Sequence, residues 1–221
     1  MATRKRATRQ GGLRTRRKVE LGVRGELRAE QFLQAATEIF LENGYRNARL
    51  ADIVGIAGGS LSTLYQVFGN KEGLVRAIME RSIRIFGQGL DVLEDPDLPP
   101  EQALVAAAER LVTEILTPEQ IVTSRIFVAE GLHFPGLRDW FFENGVAPAE
   151  KRLAAYFERE KALGRLVVDS PAVAADRFFM MVFGGTMIRS VNGAIGCGDV
   201  DRAVAESREA VAIFLRGVLP R

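Results

Sequence analysis

LADIVGIAGGSLSTLYQVFGNKEGL, residues 50–74, is the stretch whose reading decides the fold. Its spacing predicts two short helices joined by a glycine turn, followed at once by the start of a third. Ile53, Val54 and Ala57 form the apolar side of the first helix. Gly58 and Gly59 supply the turn, because glycine reaches positive φ at least cost. Leu64, Val67 and Phe68 fall on one stripe of the second helix, Leu61–Phe68, at a spacing of three to four. Ser60, Ser62, Thr63, Tyr65 and Gln66 are left facing outward. Hydroxyls, a phenol and an amide make a poor core but suit a DNA groove, where base edges offer donors and acceptors. The stretch reads as a helix-turn-helix with Leu61–Phe68 as its recognition helix.

Working outward, residues 26–43 carry Phe32, Ala35, Ala36, Ile39 and Phe40 on one helical stripe, and Gly44 marks the end of that helix. Asn70 is suited to cap a long helix running through Leu74, Ile78, Met79, Ile83, Phe86 and Leu90. Lys71 and the free N–H groups of its first turn would make an anion site for a DNA phosphate. Arg49, just before the Leu50 helix, reads either as a second phosphate contact or as a free surface arginine.

The segment from Arg28 to Leu74 resembles the DNA-binding domain of the TetR family of bacterial transcriptional regulators. Ala35, Ala36, Ile39, Phe40, Gly44 and Tyr45 match the family's first-helix pattern. Ile53, Ala57, Gly58, Ser60, Thr63, Leu64, Tyr65, Phe68, Asn70, Lys71, Glu72 and Leu74 match the pattern that follows. Four positions depart from it: Gly59 replaces a usual valine, Ser62 a common glycine, Val67 a histidine or tyrosine, and Arg49 a capping threonine. The resemblance implies backbone contacts from Lys71 and Tyr65. It implies base readout by Leu61, Ser62, Thr63 and Val67, with the two apolar side chains packing on thymine methyls. Gln66 reads as an adenine contact, a phosphate contact or neither, and half-buried packing is the alternative for Tyr65.

Charge is distributed unevenly. The net charge is +2, yet residues 1–18 hold eight Lys/Arg and no acid, leaving 22 Lys/Arg against 28 Asp/Glu in the remainder. Residues 1–24 lack apolar periodicity and read as a disordered basic arm, either wrapping DNA or serving as a solubilising tail. The recognition helix has no formal charge, so the phosphate neutralisation behind non-specific affinity must come largely from elsewhere. The only cysteine is Cys197 and the only histidine His133, which excludes an internal disulfide and a Cys/His zinc site. No nucleophile elbow or phosphate loop is present, and no carboxylates pair convincingly, so an enzyme is not expected and no cofactor is implied. The longest apolar run, residues 178–188, is too short to span a bilayer, and a cytoplasmic location is expected.

The expected architecture is all-α: a basic arm over residues 1–24, a three-helix DNA-binding domain over 25–74, and a helical regulatory and dimerisation domain over 75–221. Thr117-Pro118-Glu119-Gln120 predicts a capping box. Pro135 opens one short helix to Asn144 and Pro148 another to about Gly164. Ser170-Pro171 opens a helix to about Asn192 whose run Phe178–Phe183 is apolar on all sides. One face of that run requires a partner. Phe179, Val182, Phe183 and Thr186, with Val204, Val211 and Leu215 of the last helix, are the expected interface of a homodimer, where the family also dimerises. Residues from about Glu130 to Gly193 resemble the AefR-like C-terminal type of that family.

Met79, Ile83, Phe86, Phe127, Trp140, Phe141 and Phe157 read either as ordinary core or as the lining of an apolar pocket for a lipophilic small-molecule effector. The leading expectation is a dimeric repressor that leaves a palindromic operator when such an effector shifts the spacing of its two DNA-reading heads. The alternative is an architectural protein that binds DNA without sequence preference through the basic arm.

Overall fold

The computed structural model describes residues 23–220, and no strand occurs among them. The basic arm falls almost wholly outside the described residues. Helix α1, Val23–Asn47, buries Phe32, Ala35, Ala36, Ile39 and Phe40. Gly44, at φ 71°, breaks its helical geometry at the expected place, and one more turn follows to Asn47. Helices α2, Leu50–Ala57, and α3, Leu61–Phe68, lie beneath it. Helix α4, Lys71–Gly89, begins at Asn70, whose side chain accepts the Gly73 N–H at 2.8 Å.

The C-terminal part comprises α5, Pro100–Ile115; α6, Pro118–Glu130; α7, Pro135–Phe141; α8, Ala147–Ala162; α9, Pro171–Phe179; α10, Gly185–Val191; and α11, Val200–Val218. Two π turns join neighbouring helices end to end, the first across the break expected at Pro148. Phe142–Val146 runs α7 into α8, and Met180–Gly184 runs α9 into α10. Thr117 caps α6 by accepting the Gln120 N–H at 3.4 Å, but the expected reciprocal half of the capping box is missing. The Gln120 amide turns inward and donates to the Ser82 carbonyl at 3.4 Å, beside a buried Ser82–Thr123 hydroxyl pair at 3.0 Å.

The buried side chains form two groups. One holds the head: Phe32, Ile53, Leu64, Leu74, Ile78 and Met79, completed by Val122 and Ile126 of α6 and Leu137 of α7. The other fills the body, with Leu104, Leu111, Phe157, Phe178, Phe183, Val211 and Phe214 at its centre. Apolar packing therefore does not stop at Leu74. The first three turns of α4 belong to the head's core, and α6 closes that core from behind.

This packing corrects the expected dimer face. Val182, Phe183, Thr186, Val211 and Leu215 are buried within the protomer, and Phe179 and Val204 are half-buried against the same core. Phe183 packs on Phe86 and Phe179, with ring centroids 6.1 and 4.8 Å away. A run that is apolar all round has no sequence signal for its inward side, and the π turn at Met180–Gly184 offsets the simple period. The apolar side chains left on the surface of α9, its π turn, α10 and α11 are Val173, Met180, Met181, Ile188 and Ile213.

The predicted pocket lining is likewise divided. Met79 is 1% exposed in the head core, while Phe157 is fully buried among Tyr156, Phe178 and Phe214 in the body. Phe127 packs at a tilt against Phe141, and Trp140 lies under the Arg76 guanidinium. Phe86 packs on the body core, and Ile83 lies where it would meet a side chain added at Gly145. The gap bordered by Met79, Phe127 and Leu137 is too narrow for a water molecule. In this conformation the seven residues are packing elements and do not line one shared cavity.

Candidate nucleic-acid interface

Helix α3 is eight residues long and gains its position from its ends and one buried side chain. Ser60 has extended backbone and its hydroxyl accepts the Thr63 N–H at 3.1 Å, satisfying one donor of the first turn. The Thr63 hydroxyl pairs with the same Ser60 hydroxyl at 3.0 Å. Leu64 is fully buried, and Phe68 meets Phe32 edge-on at 6.3 Å. Gly69, at φ 84°, ends the helix. At the next step Gly73 is required sterically: a Cβ there would lie 2.0 Å from the Phe68 carbonyl oxygen. That contact sets α4 close against the end of α3.

The turn between α2 and α3 takes positive φ twice, 71° at Gly58 and 93° at Gly59. Glycine at position 59 therefore has a backbone reason. Its backbone conformation excludes an unstrained valine, and an added Cβ would meet the Phe32 ring at 3.4 Å. Arg28, which no sequence signal marked, covers this turn and donates to the Ala57 carbonyl at 3.2 Å, closing the C-terminal end of α2.

With Leu64 inward, α3 presents Leu61, Ser62, Tyr65 and Gln66 to solvent, with Leu61 40% and Tyr65 47% exposed. Thr63 and Val67 sit half-buried on the borders of that face. The exposed set spans neighbouring turns of one helix side and carries hydroxyl, phenol and amide groups with one aliphatic chain. Such a face can meet base edges and thymine methyls in a major groove. Arg49 is exposed at the start of α2 in extended backbone and makes no capping bond, so its guanidinium is free to reach a phosphate.

Lys71 is placed otherwise than the anion-site reading expects. Its ammonium donates to the Ala48 carbonyl at 2.7 Å and the Arg46 carbonyl at 3.2 Å, and lies 4.5 Å from the centre of the Tyr45 ring. The Arg46 carbonyl in the last turn of α1 and the Ala48 carbonyl just past its end lie at the negative end of the helix dipole and attract the cation. Burial lowers the Lys71 pKa from its ordinary value, partly offset by Glu130. Burial raises that of Tyr45, with Glu72 and Glu130 adding to the shift. Lys71 clamps the link between α1 and α2, and the Asn70 cap already occupies one N–H of the α4 N-terminus.

The sequence model described as "Bacterial regulatory proteins, tetR family" matches residues 32–78, which span this head. That described as "AefR-like transcriptional repressor, C-terminal domain" matches residues 102–217, just over half of the chain. The chain belongs to the TetR family. TetR-family proteins are transcriptional regulators, not enzymes, and the AefR-like match extends well beyond the segment first noted from sequence.

The HTH-type transcriptional repressor ComR of Escherichia coli (strain K12) is 44% identical over 54 residues, 24% of this chain and 26% of that protein. An HTH-type transcriptional regulator of Mycobacterium tuberculosis is 30% identical over 119 residues, 53% of this chain and 50% of that protein. The chain thus spans about a quarter to a half of the length of these curated relatives. Among solved structures, a TetR-family transcriptional regulator from Mesorhizobium loti has a TM-score of 0.75 at 22% identity, covering 90% of this chain and 100% of its own. The flavonoid-responsive regulator FrrA has a TM-score of 0.62 at 27% identity over 88% and 98% of the two chains. SmeT, solved as a triclosan complex, has a TM-score of 0.68 at 23% identity over 87% and 92%. Across the described residues of this TetR-family chain, no helix is long and apolar enough to cross a membrane.

Proposed function

We propose that this TetR-family regulator is a dimeric one-component repressor that binds a palindromic operator in the cytoplasm and is released by a small lipophilic effector. The observation that carries the reading is the exposed, uncharged face of α3, held in place by the fully buried Leu64. Leu61, Ser62 and Gln66 are its base-reading residues, with Thr63 and Val67 at the margins. Tyr65 and Arg49 meet the backbone, and Ser60 positions the helix. The exposed apolar side chains Val173, Met180, Met181, Ile188 and Ile213 support pairing of two protomers through α9, α10 and α11. Contiguous exposed apolar surface commonly marks an association site. Relatives of the same fold include a flavonoid-responsive regulator and one crystallised with triclosan, both consistent with an aromatic, lipophilic effector.

Footprinting the full chain on the DNA upstream of its own gene tests the reading. Two protected half-sites about one helical turn apart are expected, one for each recognition helix of the dimer. Uniform protection without half-sites would support instead the architectural reading, in which the basic arm binds any duplex.

A further inference from the structure

A cleft lies between the end of α1, α6 and the end of α10. It has a volume of about 460 Å³ and is walled by Phe40, Leu41, Val122, Ile126, Ala129 and Asn192, among others. Small-molecule sites commonly fall in the range of about 300–1,000 Å³. Arg125 projects from α6 into this junction. Its Nη1 donates to the Leu41 carbonyl at 3.5 Å and its Nη2 to the Ser190 carbonyl at 3.4 Å, both at the long limit for a hydrogen bond. Its Nε is buried without a partner, as is the Oγ of Ser190, which is 1% exposed.

Arg125 forms no ion pair with any described residue. The contrast with Arg46, on the same cleft, is direct. Arg46 donates to both carboxylate oxygens of Glu130, at 2.8 and 3.0 Å. A guanidinium drawn out of water is ordinarily matched by an anion, because its desolvation is otherwise uncompensated. Here the fork is held by two long contacts to neutral carbonyls and keeps unused donors.

We propose that this cleft is an effector subsite for a small amphipathic carboxylic acid, with Arg125 receiving the carboxylate. The guanidinium fork matches a carboxylate's two oxygens, and charge-assisted bonds of this kind are shorter and stronger than those Arg125 now makes. Phe40, Val122 and Ile126 accept the apolar body of the ligand. Of the two acids on the cleft, Glu130 is engaged by Arg46, while Glu42 stands exposed at the rim and disfavours multiply charged ligands. A single carboxylate on an apolar body fits this balance better than a phosphate ester.

The site also lies where a ligand would matter. Leu41 belongs to the DNA-reading head, Arg125 to α6, and Ser190 to the helix carrying the proposed dimer face. A carboxylate that takes over the guanidinium releases the end of α1 from the end of α10. This deepens the effector-controlled reading above, giving the effector a class and an anchoring residue.

The test is calorimetric titration of the full chain, without DNA, using 4-phenylbutyrate, indole-3-acetate and decanoate, each beside its primary amide. At least one acid is expected to bind, with its amide at least tenfold weaker. Arg125→Gln is expected to weaken the acid at least tenfold and leave the amide unchanged, and Arg125→Lys to keep part of the preference. Ala129→Trp fills the cleft from an exposed helical position and is expected to abolish binding of both. Failure of all three acids to bind, equal affinity for acid and amide, or an unchanged acid in Arg125→Gln or Ala129→Trp would overturn the proposal. Should Arg125→Gln not fold by circular dichroism, the acid–amide comparison and Ala129→Trp decide alone. Because DNA is absent, a negative result removes this site and leaves the operator reading to its own footprint.

Discussion

Leu64→Ala truncates the one fully buried side chain of α3. Leu64 is fully buried and belongs to the same core as Phe32, Ile53 and Leu74. The substitution deletes three carbon groups, each worth about 0.8 kcal/mol of burial, and leaves a cavity that close neighbours can fill only in part. Buried leucines truncated in this way cost about 2.7–5 kcal/mol. Tyr65→Ala, one residue along, removes a larger side chain that is 47% exposed. Surface changes of that kind stay within about 0.5 kcal/mol. The two variants should therefore separate cleanly. In urea unfolding followed by circular dichroism, Leu64→Ala lowers the midpoint of the head's transition and Tyr65→Ala leaves it in place. In fluorescence anisotropy on operator DNA, both bind weakly: the first because α3 is no longer held, the second because a contact is gone. A loss below about 1 kcal/mol for Leu64→Ala, or an equal loss for Tyr65→Ala, would show that α3 is rotated from the orientation described and would refute the assignment of its faces.

Three further outcomes are expected. Gly59→Val restores the residue usual in the family but forces a β-branched side chain to φ 93° beside Phe32, so the melting temperature should fall, by an amount corresponding to about 1–3 kcal/mol of backbone strain. Ile188→Glu, at a position 58% exposed, should leave the fold intact and convert a dimer to a monomer in sedimentation velocity, whereas a charge at fully buried Phe183 should unfold the body instead. The Arg189 hydrogen bond, with further attraction from Arg189 and Arg202, holds the Glu206 carboxyl below its ordinary value and links α10 to α11. A depressed carboxylate stabilises the fold above its unfolded pKa and loses that contribution as pH falls through the folded one. The advantage of the native chain over Glu206→Gln in thermal melts should therefore hold at neutral pH, vanish below the ordinary carboxylate range, and shrink in high salt.

The helix-turn-helix was legible because local signals agree there. The glycine pair, the Asn70 cap and the 3–4 spacing all point the same way, and α3 begins and ends at the expected residues. The buried stripe of α1 was legible for the same reason. Where one residue has two physically sound uses, sequence could not choose. Lys71 at a helix start suits an anion, but the Arg46 and Ala48 carbonyls at and just past the end of α1 hold it. Gln120 completes a capping box on paper, yet the buried Ser82 carbonyl takes its amide. The run Phe178–Phe183 is apolar on every side, so its inward face emerges only from packing on Phe86, Phe157 and Phe214. Arg28 and Arg125 carry no pattern at all. Their roles arise from distant carbonyls that the fold brings within reach.

The central claim, that a neutral helical face reads bases while charge elsewhere supplies general affinity, is tested most directly by one ratio. The full chain's dissociation constant on its own upstream DNA is measured against a scrambled duplex at the same salt concentration, for the native chain and for Gln66→Ala. A native ratio of at least about a thousandfold is expected, falling by about five- to a hundredfold in the variant, as loss of one base contact worth about 1–3 kcal/mol requires, while affinity for the scrambled duplex stays unchanged. A native ratio near one, or a large ratio untouched by Gln66→Ala, would contradict it.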